Sequence, residues 1–262
     1  MPTVPVNGVE LNVIDRGAGQ PILFVHGFGL DHRMWLPQLE ALEDSHRVIA
    51  PDLRGFGGSG VAPGKVTMQQ FAEDLHGLLS ALEVDEPVCY CGLSMGGYIC
   101  WPFLRQNSSA VSSLVLCDTR AIPDTPKAAE QRLLLADAVL KFGSQAAAGV
   151  FIPQLFPDGQ SGQAVEDVRT MITDADPEGL AAALRGMAER PDSTDLLSTI
   201  DVPTLVICGT DDRITPLSEV RAMSEGISHS QFVEIPDAGH IPTVETPEAV
   251  NALLQQFLCA TV

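Results

Sequence analysis

The chain has 262 residues, 45% hydrophobic and 19% charged, enough to bury a sizeable core in one domain with room for an inserted subdomain. Its 34 acidic residues against 15 basic ones give a formal net charge of -19, which argues against nucleic acid and anionic membranes as partners and disfavours a polyanionic substrate. No apolar run is long enough to span a bilayer, and the start, Met1-Pro2-Thr3-Val4-Pro5, lacks the basic and apolar regions of a secretory signal, so a cytoplasmic protein is expected.

In chain order, residues 9–16 alternate apolar and polar side chains, as a half-exposed strand does. Pro21-Ile22-Leu23-Phe24-Val25 is a continuous apolar run, the pattern of a strand buried on both faces. Residues 33–42 read as helix and 46–50 as strand. Residues 67–82 predict an amphipathic helix, with Thr67 suited to the N-cap and Phe71, Leu75, Leu78, Leu79 and Leu82 on one face. A short apolar strand at 87–91 leads into Gly92-Leu93-Ser94-Met95-Gly96 and then a helix opened by Gly97-Tyr98-Ile99-Cys100-Trp101. Pro102 removes a hydrogen bond from that helix and predicts a kink or an early end. The strand at 111–117 follows.

The rhythm then breaks. Residues 121–199 are rich in Ala, Gln and Leu, with helical periodicity around Leu133 to Leu140, 165–172 and 180–187, and no strand. Strands resume at 203–208 and 230–235, and a helix over 247–258 closes the chain. Strands alternating with helices predict an α/β fold with a mostly parallel, doubly wound sheet. Residues 1–120 and 200–262 would form its core, and residues 121–199 a helical cap over the C-terminal edge of the strands, where such sheets bind ligands. The six cysteines, at 89, 91, 100, 117, 208 and 259, show no metal-ligand spacing and read mostly as buried, reduced thiols.

Gly92-Leu93-Ser94-Met95-Gly96 is Gly-x-Ser-x-Gly between a strand and a helix, where a sharp turn lifts a serine out of the sheet. A serine hydroxyl needs a general base, usually a histidine oriented by a carboxylate. His240, in a glycine-containing loop after the last strand, is the candidate base. Asp212, in the turn after the preceding strand, is the favoured acid because it stands three residues beyond Gly209; Asp211 and Asp118 remain alternatives. The oxyanion needs two backbone N–H donors, expected from Met95 and from Phe28 in the loop His26-Gly27-Phe28-Gly29.

With these segments the chain resembles the α/β-hydrolase superfamily over essentially its full length. The resemblance is carried by the serine turn, by His26-Gly27-Phe28-Gly29 followed by Trp35, and by Asp52-Leu53-Arg54-Gly55-Phe56-Gly57-Gly58-Ser59. It is nearest to serine carboxylesterases and the 3-oxoadipate enol-lactonase-like group, with their cofactor-free perhydrolase and haloperoxidase relatives. The order Ser94, Asp212, His240 is the order of that fold. The expected activity is hydrolysis of carboxylic esters of small to medium acyl chains through an acyl-enzyme, with no metal or organic cofactor. The rivals are a lactonase, a perhydrolase and, outside enzymes, a ligand-binding receptor that retains the triad. The expected partner is a small ester or lactone. Candidate substrate-binding residues are His26, Gly27, Leu134, Phe151, Met187 and Ile241, with His26 also bracing its loop and Asp52 and Arg54 steadying theirs. The remaining histidines, at 32, 46, 76 and 229, read as structural or solvated.

Overall fold

The structure is a computed structural model that describes residues 2–261. Its eight strands are β1 (Thr3–Val6), β2 (Val9–Arg16), β3 (Pro21–Val25), β4 (Arg47–Pro51), β5 (Val88–Leu93), β6 (Val111–Cys117), β7 (Thr204–Gly209) and β8 (Ser230–Ile235). They form one sheet in the order β1-β2-β4-β3-β5-β6-β7-β8. The β1–β2 and β2–β4 pairs are antiparallel, and every other pair is parallel. The expected mostly parallel α/β sheet is therefore present.

Every residue of β3, β5 and β7 is buried, which is why these strands read as unbroken apolar runs: helices cover both faces of the sheet. Helices α1 (Leu36–Leu42), α2 (Met68–Ala81) and α3 (Met95–Gln106) accompany the first half. Thr67 caps α2 by accepting the Gln70 N–H, and the apolar stripe from Phe71 to Leu79 faces the core. Pro102 lies within α3, yet the helix continues to Gln106. β1 has little apolar character, but Asn7 and Gly8 at φ 45° and 80° join it to β2 in a two-residue hairpin with Val6 opposite Val9.

After β6 come α4 (Pro126–Phe142), α5 (Gln145–Leu155), α6 (Gln163–Asp174), α7 (Pro177–Ala188) and the short α8 (Thr194–Leu197). The α4–α7 helices form the cap and precede β7. The chain then adds α9 (Leu217–Glu225), α10 (Pro242–Glu245) and α11 (Pro247–Thr261). None of these helices, among the described residues, is long and apolar enough to cross a membrane.

The cap is stitched to the sheet domain by backbone as well as side chains. Gly179 and Gly186 are seven residues apart and share one face of α7. A Cβ at Gly179 would collide with the Gly55 carbonyl, and one at Gly186 with the Val66 carbonyl. The Val66 N–H donates to the Ala182 carbonyl at 3.1 Å.

The strand order reverses beside β3, which pairs with β4 on one side and β5 on the other. Such a switch point opens a crevice at the C-terminal ends of the strands. The loop at His26 leaves β3 there, and Ser94 leaves β5 there.

Candidate active site

Ser94 sits between β5 and α3 at φ 53°, ψ -110°, a conformation that side chains resist. Its neighbours allow the turn. A Cβ at Gly96 would collide with the Val25 carbonyl, and one at Gly92 would lie 2.8 Å from the Gly96 carbonyl. The turn is anchored by the Ser94 N–H donating to the Cys117 carbonyl at 2.9 Å and by the Thr119 hydroxyl donating to the Ser94 carbonyl at 2.8 Å.

His240 Nε2 lies 2.8 Å from Ser94 Oγ, and His240 Nδ1 lies 2.8 Å from Asp212 Oδ2. The carboxylate is an acceptor only, so the Nδ1 proton points to Asp212 and Nε2 is left to accept from the serine. All three residues are buried. Asp212 also accepts the N–H groups of Ile214 and Thr215, at 2.8 and 3.0 Å, and the Thr215 hydroxyl. Burial pushes the Asp212 carboxyl up, but His240 and these donors outweigh it and hold it below the usual carboxylate range.

The two alternative acids are placed differently. Asp211 is exposed. Asp118 follows β6 at φ 45°, fully buried behind Asp212; its Oδ1 accepts the Gly209 N–H at 2.9 Å and its Oδ2 has no partner among the described residues. Burial and the neighbouring Asp212 charge raise its carboxyl well above the ordinary range. Asp118, Cys208 and Asp212 bring three potential metal-ligating atoms within 4.8 Å of one another, as do Asp31, His32 and Asp52. The Asp212 oxygens are spent on His240, Thr215 and Ile214. Those of Asp52 are spent on His32, Asn12 and Gly58. Neither group offers a free ligand set.

The loop carrying His240 is held from both sides. Glu245 accepts the N–H groups of Gly239 and Ile241, at 3.0 and 3.1 Å. The His240 N–H donates to the carbonyl of Leu155, the last residue of α5, at 2.8 Å. Met95 is buried as the first residue of α3, and its N–H has no acceptor among the described residues, like that of Phe28.

Gly27, Phe28 and Met187 line a narrow inner chamber of about 30 Å³ with Ser94 and His240. It adjoins an outer cavity of about 590 Å³, and Arg132, Phe151 and Ile214 line both, forming the neck between them. Leu134 borders the outer cavity and is 63% exposed. Ile241 is buried and lines neither. His26 lies beneath the loop, away from both cavities, with Nδ1 2.8 Å from the Gly27 carbonyl and Nε2 accepting the Leu53 N–H at 2.9 Å. These two bonds brace the loop, and His26 lines neither cavity. Sequence reasoning missed Arg132, Tyr98, Thr215 and Glu245. Thr215 and Glu245 carried a local signal, as polar residues three beyond Asp212 and five beyond His240; Arg132 and Tyr98, drawn from separate helices, carried none.

A model of the alpha/beta hydrolase family matches residues 22–253. 3-Oxoadipate enol-lactonase 1 of Acinetobacter baylyi is 30% identical over 259 residues, spanning 98% of this chain and 92% of its own. A solved thermophilic esterase from Thermogutta terrifontis is 46% identical with a TM-score of 0.97, covering 100% of this chain and 99% of its own. The enol-lactonase from Burkholderia xenovorans LB400 is 29% identical with a TM-score of 0.91, covering 98% and 100%.

Proposed function

Because the chain belongs to the alpha/beta hydrolase family, we propose that it is a serine esterase working through an acyl-enzyme. The observation that carries this reading is the unbroken relay from Ser94 Oγ to His240 Nε2 and from His240 Nδ1 to Asp212, each link 2.8 Å long. The 46% identity to an esterase over the whole chain supports it.

In this reading His240 takes the Ser94 proton as the serine oxygen attacks the ester carbonyl. The N–H groups of Phe28 and Met95, unspent within the protein, receive the developing oxyanion. His240 then protonates the leaving alcohol and activates the water that releases the acid. Asp212 fixes the imidazole tautomer and stabilises its positive form. Residues 1–120 and 200–262 supply this machinery, and the cap, residues 121–199, selects the substrate through Phe151 and Met187. A lactone is a cyclic ester, so the 29–30% identity to enol-lactonases makes lactone hydrolysis a second reading on the same machinery. We place the enzyme in the cytoplasm, which suits the free thiols of five buried cysteines.

The test is steady-state hydrolysis of a p-nitrophenyl ester and of a lactone series. Wild type is expected to turn over many times, and Ser94→Ala to lower kcat by about 10⁵- to 10⁶-fold with its circular dichroism unchanged. A single burst without turnover would support a receptor instead, and activity retained in Ser94→Ala would refute the reading.

A further inference from the structure

Behind the acid of the relay stands a second carboxyl group to which the acyl-enzyme mechanism gives no part. Asp118 follows β6 and Asp212 follows β7, its parallel neighbour. The Asp118 N–H donates to the Ile207 carbonyl at 2.9 Å and Oδ1 accepts the Gly209 N–H at 2.9 Å, so the residue ties the end of one strand to the end of the other. It adopts a left-handed backbone, φ 45°, to hold that place. The side chain is fully buried, with a carboxyl oxygen within 4.8 Å of an Asp212 oxygen and of Cys208 Sγ. The Asp118 and Asp212 carboxyl groups are in side-chain hydrogen-bond contact.

Two ionised carboxylates cannot make such a bond, because neither has a proton to donate and their buried charges repel. One proton must lie between them. Asp212 accepts the N–H groups of Ile214 and Thr215 on Oδ1, and the Thr215 hydroxyl and His240 Nδ1 on Oδ2, so a proton there would displace one of these donors. Asp118 Oδ1 is taken by the Gly209 N–H, whereas Oδ2 meets no donor among the described residues. The Cys208 thiol also touches Asp118, but a thiol is a weak donor, and this one lies 3.4 Å from the Gly209 carbonyl. The open place for the proton is Asp118 Oδ2.

We propose that Asp118 is a positioning residue that carries a proton on Oδ2 and presents it to Asp212, so that one negative charge stands behind His240 and not two. Its part in turnover rests on the esterase reading; the place of the proton does not. Burial, and next the charge of Asp212, raise the Asp118 carboxyl well above the ordinary range, in keeping with a proton held there. The other titratable groups facing it are the thiols of Cys117 on β6 and Cys208 on β7. Arg120, two residues along, is bonded elsewhere, to Glu219, the Ile214 carbonyl and the Tyr98 hydroxyl. A second negative charge beside Asp212 would hold a proton on the imidazole, which has to be vacant to take one from Ser94. A neutral donor in the same place weakens Asp212 as a base and leaves it to orient the ring.

Infrared difference spectra of wild type against Asp118→Asn at neutral pH, in light and heavy water, locate the proton without any turnover. The expected band is the carbonyl stretch of a protonated carboxyl, present in wild type, moved by deuterium and absent from the variant. Loss of carboxylate bands alone would mean that Asp118 is ionised and overturns the proposal. The second measurement is the pH profile of kcat/KM on a p-nitrophenyl ester for wild type, Asp118→Asn and Asp118→Ala. The asparagine amide can accept from Gly209 and donate to Asp212, so its acid limb is expected where wild type has it. Alanine can do neither. Asp212 then loses a donor and holds the imidazolium more firmly, and the acid limb is expected to move up by about 0.5 to 1 pH unit, a loss of about 3- to 10-fold confined to the acid side. A purely structural role would lower kcat/KM of Asp118→Ala by one factor at every pH, and an ionised Asp118 would move the asparagine limb down; either result overturns the proposal. Should Asp118→Ala not fold, the infrared spectra and the asparagine profile decide. Failure of wild type to hydrolyse the ester overturns the esterase reading, and the infrared spectra still decide where the proton is.

Discussion

Protonating His26 would break a bond that nothing nearby replaces. Its Nε2 accepts the Leu53 N–H and its Nδ1 donates to the Gly27 carbonyl, so the buried ring is neutral, and burial holds its pKa below the ordinary histidine value of 6.5. As pH falls below about 6.5 the unfolded chain binds a proton there that the native state refuses, so stability falls on the acid side. His26→Gln is expected to flatten the loss of urea-unfolding stability between about pH 7 and pH 5, by up to about 1.4 kcal/mol per pH unit. Burial lowers His46 and His76 as well, so part of the slope survives the substitution. The carboxylates act in a different window. Burial opposes the charge of Asp52, but its bonds to His32 and Gly58 prevail and bring it down to about 2. What Asp52 and Asp212 contribute through ionisation is present above the ordinary carboxylate range and is lost only as pH falls through their lowered values.

Among the elements, the cap helices α4 and α5 supply two of the three residues at the neck between the cavities, Arg132 and Phe151. Phe151, on α5, forms the neck with Arg132 and Ile214 and packs on Phe28 at 5.0 Å between ring centroids. Phe151→Ala widens the neck, and its expected signature is a kcat/KM that falls for short acyl esters and rises for longer or branched ones in an acyl-length series. The sheet was legible in the sequence because burial on both faces writes β3, β5 and β7 as unbroken apolar runs. The relay was legible too, since Ser94 and Asp212 follow strands of that kind and His240 follows the half-exposed β8 that closes the sheet. The choice among three aspartates was not, because it turns on burial and a 2.8 Å contact with His240 that no spacing encodes. β1 was missed although Asn7-Gly8 is a strong hairpin signal; Pro5 within so short a strand masked it. The cap was read as helical, but α5 escaped notice, and Leu133 and Leu134, which look like core, are 46% and 63% exposed on α4. Periodicity finds an apolar face without saying what meets it.

For the molecule as a whole, a net charge of -19 on a chain this small is a self-repulsion that salt screens. Raising ionic strength from about 0.01 M to about 1 M shortens the screening length from about 30 Å to about 3 Å. The thermal midpoint is expected to rise by a few degrees, and a fall would mean that the surface ion pairs outweigh the repulsion. The bond from the His240 N–H to the Leu155 carbonyl reaches further than stability. It fastens the end of α5 to the backbone of the general base, while Gly179 and Gly186 press α7 against the loops at Gly55 and Val66. A cap moored in this way is a fixed roof and not a hinged door. Swinging it open would drag the imidazole off the serine, so the outer cavity, with Leu134 exposed at its border, is the opening that stays in place while the relay is intact.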